Sequence, residues 1–262
     1  MIYILFSINK LKKRSLIGLK SVCLHIKCLF VIKRSFILFF LFLFCSLNSI
    51  AQFNSSELGS WTMFFNQTRF HSKWSLHTEL QFRSYDVVPN TEQLLIRGGI
   101  NYHLKPTVIF TGGYGYIGGY RNDGEVFKPE LSEENRIWEQ VSIKHTSGII
   151  FFEHRYRYEQ RWIRRGNSTN YKNRIRYLVR ATIPLGKKEI SAKTFFLSFY
   201  DEIFLNLNGL SLDRNRAYGA VGYQFSSTVS LQAGYLLQTV GVSTKQYIQV
   251  GVSFNPDIRK ND

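Results

Sequence analysis

Every second residue from Glu153 to Arg161 is ionisable: Glu153, Arg155, Arg157, Glu159 and Arg161. Such a row can do one of two things. Its charges can pair with those of a neighbouring strand and hold a structure together. Where cations outnumber carboxylates, it can also form a basic lining that holds or passes anions. The interleaved residues are Ile150, Phe152, His154, Tyr156, Tyr158, Gln160 and Trp162. Among them His154 is a weak catalytic candidate, because a histidine on an otherwise apolar face is a default site of proton chemistry. Lipid hydrolases and acyltransferases need a histidine with a serine and a carboxylate or Asn. Ser142 and Ser147 are within sequence reach, but no nucleophile motif accompanies them.

A period of two is that of a β-strand, whose successive side chains point to opposite faces. A soluble protein would bury the aromatic face and wet the charges. A membrane barrel would do the reverse. The segment 171–183 sets Ile175, Tyr177, Val179 and Ala181 against Lys172, Arg174, Arg176 and Arg180. If it pairs with 149–163 in a register mirrored near 166–167, Glu159 faces Arg174 and Glu153 faces Arg180. Adding the equivalent positions of other segments gives an expected interior row: Glu79, Arg83, Arg97, Glu153, Arg155, Arg157, Glu159, Arg161, Lys172, Arg174, Arg176, Arg180, Glu202, Arg214 and Arg216. Cations outnumber carboxylates in it, which points to a hydrated interior or a small anionic ligand.

Other chemistry has less support. His71, His77 and His103 lack metal-ligand spacing, and neither a metal nor another cofactor is expected. Gly112-Gly113-Tyr114-Gly115 lies inside a strand and leads to no Lys-Ser/Thr, so it is not a phosphate loop. Of 34 Lys and Arg, eight lie in residues 1–51, which hold no acid; the other 26 face all 18 Asp and Glu. Much of the net charge of +16 therefore belongs to the first segment. Nucleic-acid binding is not expected.

That first segment also holds all three cysteines, Cys23, Cys28 and Cys45. The remainder has neither a disulfide framework nor a thiolate metal site. Residues 33–51 read KRSFILFFLFLFCSLNSIA: two cations, an apolar run too short to cross a bilayer, then a small-x-small site. A signal peptide over 1–51, cleaved after Ala51, is the expectation. Residues 1–32 are long for an n-region, so either the signal is extended or the start lies further downstream. Phe44 before Cys45 argues against lipidation, which needs a small residue there.

From residue 52 the chain reads as strand after strand: 59–70, 74–82, 94–104, 107–120, 134–146, 149–163, 171–183, 190–205, 214–225, 229–240 and 246–254. Short links (71–72, 105–106, 147–148, 185–188, 226–228) alternate with longer polar ones (85–92, 121–133, 164–170, 206–213), the pattern of an outer-membrane barrel. No helical periodicity of useful length and no 20-residue apolar run follow Ala51. The expectation is an all-β, up-and-down antiparallel transmembrane barrel over 52–254, followed by a polar tail, 255–262. Eleven strands are counted, but bacterial single-chain barrels have even numbers. Ten to twelve are therefore allowed, with twelve favoured. Fewer strands than an open pore needs, filled by arginines, leave little or no channel. Trp61, Trp74, Trp138 and Trp162 are expected in aromatic girdles at the membrane interfaces.

The chain resembles the DUF2490 family of outer-membrane β-barrel proteins. The resemblance rests on Leu58-Gly59-Ser60-Trp61-Thr62, Lys73-Trp74-Ser75-Leu76, Glu79-Leu80-Gln81-Phe82-Arg83, Asp201-Glu202-Ile203-Phe204 and Arg214-Asn215-Arg216. Its most specific element is Arg155-Tyr156-Arg157-Tyr158-Glu159-Gln160-Arg161. It implies location and fold, not an activity. The expected partners are outer-membrane lipid, lipopolysaccharide and the barrel-assembly machinery. The expected role is a structural or narrow anion-handling barrel. The alternatives are a lipid-modifying enzyme of the outer leaflet and a binding protein using the loops 121–133 and 206–213.

Overall fold

The computed structural model describes residues 58–87, 90–122 and 131–259. The signal sequence, its cleavage point and most of the 121–133 loop lie outside the described residues. The strands are β1 (Leu58–Arg69), β2 (Trp74–Ser84), β3 (Thr91–Lys105), β4 (Val108–Gly119), β5 (Ser132–Ser147), β6 (Ile150–Arg165), β7 (Ser168–Pro184), β8 (Thr194–Asn206), β9 (Ser211–Gln224), β10 (Val229–Val240) and β11 (Ser243–Phe254). Each pairs antiparallel with its neighbours in the chain, and β1 pairs with β11 to close the barrel.

The all-β barrel expected from the alternation is present, and the count settles at eleven rather than twelve. In a meander each strand reverses the last, so the first and eleventh run the same way. The closing pair is therefore parallel, from Leu58↔Gln246 to Asn66↔Phe254. The tail lengthens this seam. The Arg69 amide donates to the Pro256 carbonyl at 2.8 Å, and the Ile258 amide donates to the Arg69 carbonyl at 2.8 Å. What looked like a missing strand is an odd barrel with one parallel joint.

Link lengths depart from the expected alternation. The 164–170 link shrinks to the two-residue turn Gly166-Asn167, and 206–213 shrinks to 207–210, whereas the short 185–188 link grows to 185–193. Polarity on both faces of the β6–β7 hairpin tip, exposed from Arg164 to Lys172, read as a loop although the ladder continues through it. Three of the two-residue hairpin turns begin on glycine: Gly148-Ile149, Gly166-Asn167 and Gly241-Val242. Their glycines have φ of +61°, +56° and +58° at the first turn position. A II′ turn requires this, and it matches the strand twist.

The faces sort by parity. Leu80, Ile96, Phe110, Ile137, Tyr156, Ile175, Phe199, Val221, Leu231 and Ile248 point outward and are exposed, whereas Glu79, Arg97, Glu159, Arg176 and Glu202 are buried inside. The interior is itself divided. Along the seam, Trp61, Met63, Tyr218, Ala220, Leu236 and Tyr247 form an apolar cluster, with Phe65 and Tyr200 packed on it. The ionised groups gather mainly on β2–β3 and β5–β9.

The parallel seam makes a direct prediction. A Thr62→Cys/Val250→Cys pair, Cα partners across β1 and β11, should join through a short bifunctional thiol reagent and change gel mobility. A Thr62→Cys/Val242→Cys pair should not. A folded barrel with no joined product from the first pair would rule out this closure.

Candidate functional site: the charged interior

The mirrored register expected around 166–167 is present: Glu159 faces Arg174 and Glu153 faces Arg180. Glu159 is fully buried. It accepts from Arg174 Nε at 2.9 Å and Nη2 at 2.6 Å, from Arg176 Nη1 at 2.7 Å and from Arg136 Nη1 at 3.1 Å. Arg157 stands 3.9 Å away. One carboxylate thus ties together β5, β6 and β7. Arg176 carries the network on, donating to Glu202 from Nε at 3.1 Å and Nη2 at 2.7 Å. Arg155 also donates to Glu202 at 2.8 Å, and Arg216 lies 3.9 Å from it. Arg174 reaches Asp213 at 2.7 Å, and Arg214 reaches the same carboxylate at 3.0 Å. On the other side of the barrel Arg97 donates to Glu79 at 2.6 Å.

Most of the expected row is therefore gathered in one network. Four further members sit apart from its centre. Glu153 and Arg180 form a looser, part-exposed pair at 3.5 Å. Lys172 is exposed at the β6–β7 tip. Arg83 donates to the amide oxygens of Gln81 and Gln93, at 2.5–3.0 Å.

The sequence reading missed Glu134, Arg136 and Asp213. Glu134 accepts from Arg136 Nε at 2.8 Å and from Arg161 at 2.7 and 2.8 Å. The alternation Glu134, Arg136, Trp138, Gln140 was there to be read, but Asn135 and Glu139 are polar on the opposite face and mask the contrast. Trp61 and Trp138 are corrections. Expected in girdles, they are 2% and 0% exposed and lie inside. Trp138 fits because the wall facing it is glycine: a Cβ at Gly113 would come within 2.6 Å of its ring, and one at Gly99 within 3.1 Å. The glycine-rich strand is thus a seat for an indole. Trp74 and Trp162 do face outward, each against a tyrosine: Trp74 on Tyr102 at 4.9 Å and Trp162 on Tyr171 at 5.2 Å.

These interior aromatics answer part of the cation surplus. Arg83 lies 4.0 Å and Arg216 4.7 Å from the Trp61 ring. Arg157 lies 4.6 Å from Trp138, and Arg176 lies 4.3 Å from Phe204. A weakly hydrated guanidinium on an aromatic face is partly compensated without a second charge. Surplus remains all the same. Arg97 Nε and Nη1, Arg157 Nη1 and Trp138 Nε1 are buried donors that meet no acceptor.

Two cavities occupy the interior. The one toward the 85–90 loop is about 100 Å³ and is lined by ten arginines but three glutamates. The other, toward the opposite end, is about 260 Å³ and mostly neutral-polar, with Asn66, Gln67, Asn101, Gln140, Ser142 and Ser253 in its walls. Phe65, Glu79, Arg155, Arg180 and Gln232 line both.

His154 faces outward. Its Nδ1 lies 2.9 Å from the Tyr177 hydroxyl, and its ring stacks on His145 at 5.2 Å. Ser142 is buried on the opposite face, so the two cannot share a substrate. His77 and His103 point inward, His103 Nε2 at 2.8 Å from Ser75 Oγ. Among the described residues no group of three His, Cys, Asp or Glu could hold a metal ion. Of the 206–213 stretch, expected as a binding loop, 207–210 is turn and the rest belongs to β8 and β9.

Removing one partner from a buried charge network costs roughly 3–5 kcal/mol, because the other charges stay buried and unpaired. Glu159→Ala should therefore lower markedly the temperature at which the folded band is lost in a heated gel. Glu153→Ala, at a looser and part-exposed pair, should move it little. Equal transitions for wild type and Glu159→Ala would refute the central role of Glu159.

Comparison with known proteins places this architecture. No curated protein and no solved structure matches the chain. Residues 58–249, from the start of β1 into β11, match the model of a family described as "Protein of unknown function (DUF2490)". With that extent of match, the chain belongs to the DUF2490 family.

Proposed function

We propose that the protein is an integral outer-membrane barrel, exported by a cleaved signal peptide, that handles small anions through a narrow basic interior. The membrane part rests on the inversion of faces: apolar residues exposed all round, ionised residues buried inside. A closed barrel leaves no unpaired edge, the condition for crossing hydrocarbon with strands. Outer-membrane lipid, lipopolysaccharide and the barrel-assembly machinery are then its partners.

The single observation carrying the anion part is the lining of ten arginines against three glutamates at one end. Even with Glu153, Glu159 and Asp213 counted as partners behind the lining, ten arginines face six carboxylates, and that surplus makes a standing positive potential, which draws in anions. In this reading the path runs past Glu79, Arg155 and Arg180, which line both cavities, and takes only small, partly dehydrated ions. The lipid-modifying reading has less support, since Ser142 lies on the opposite face of the wall from His154 and Ser147 sits at the β5–β6 turn, four residues beyond Ile143, the partner of His154.

In planar bilayers under a KCl gradient, refolded protein should give small conductance steps whose reversal potential lies toward that of chloride. Arg83→Glu, which puts a carboxylate into this lining, should shift the reversal potential toward potassium. Cation preference in the wild type, or no steps from protein that is inserted and folded, would overturn the reading.

A further inference from the structure

On the outer face, the middle of β5 carries a carboxylate. The paired row Leu76–Ile100–Gly112–Glu139–Tyr158–Ile175–Leu205 crosses the wall. It starts near the turn end of β2 and finishes near the opposite end of β8, so Glu139 stands about halfway between. Other outward acids have partners: Glu133 takes Arg164 Nε at 3.1 Å, and Asp201 takes the Asn215 amide at 3.0 Å. Glu139 is exposed and makes no hydrogen bond or ion pair among the described residues. It lies in a groove of about 710 Å³ walled by Trp74, Tyr102, Phe110, Tyr156 and Tyr158. Glycine makes room in the groove: a side chain at Gly112, in its floor, would enter open space.

An unpartnered acid on a lipid-facing wall is costly, and such residues are kept where something meets them. Neutral lipid chains need no acid, and an anionic head would be repelled. A positively charged nitrogen gains from both the carboxylate and the surrounding aromatic faces. The volume suits one hydrocarbon-bodied ligand. We propose that this groove binds a long-chain amine from the lipid phase, its ammonium on Glu139 and its chain over the floor at Gly112. This rests on the membrane-spanning reading and is independent of the anion-handling one.

The test uses the refolded full barrel in phosphatidylcholine vesicles with hexadecylamine or hexadecanol carrying the same nitroxide. The readout is the quenching that disappears in Trp74→Phe. Quenching should saturate with the amine at a mole fraction at least tenfold below that for the alcohol. Glu139→Gln should abolish the preference. Gly112→Leu, with folded gel mobility kept, should abolish saturation. Equal quenching by amine and alcohol, or a preference kept in Glu139→Gln, would overturn the proposal. Wild-type protein stripped from vesicles by alkaline washing would instead remove the membrane reading, and this site with it. Retained protein without the preference removes the site alone.

Discussion

A β-sheet that curls on itself must satisfy the backbone of its first and last strands, and here that demand falls on the parallel joint of β1 and β11. Everything inside follows from it. Closure at eleven strands fixes a narrow circumference. A narrow circumference brings inward side chains from nearby strands into contact, so long arginines of β6 and β7 can reach the carboxylates of β8 and β9. A wider barrel with the same residues would leave these groups in water, worth little as pairs.

Within that space the chain settles its charges unequally. Glu159 and Glu202 act as hubs, each approached by several guanidiniums. Trp61, Trp138 and Phe204 take the flat faces of others. Buried ion networks are poor sources of net stability but costly to break. The seam side, by contrast, carries an ordinary apolar cluster around Leu236 and Tyr247. The barrel therefore has a side held by packing and a side held by charge.

Much of this was legible in the sequence, because a strand writes its two faces as alternate letters. The eleven strands, the Glu159–Arg174 register and most of the charged row came from that period. What was not legible has particular causes. Glu134 and Arg136 lie on a strand whose outer face is also polar, so contrast failed. Trp61 and Trp138 share parity with arginines, but an indole suits both an interface and an interior. Only the three-dimensional seat at Gly99 and Gly113 decides for the interior. The hairpin tip at 164–170 read as loop because its ladder outlasts its hydrophobicity. The parallel joint could not be read at all, since pairing between chain ends leaves no local signal.

The clip between Arg69 and the segment after Phe254 bears on the order in which the molecule can form. Hairpins between successive strands need only short loops to close, whereas the joint unites segments nearly the whole described chain apart. Closing so long a loop costs entropy that no local contact repays. The sheet can therefore assemble progressively from its hairpins, but the ring is completed late, when the final residues arrive to meet the first strand. The last stretch of the chain then acts as a latch rather than as a loose end.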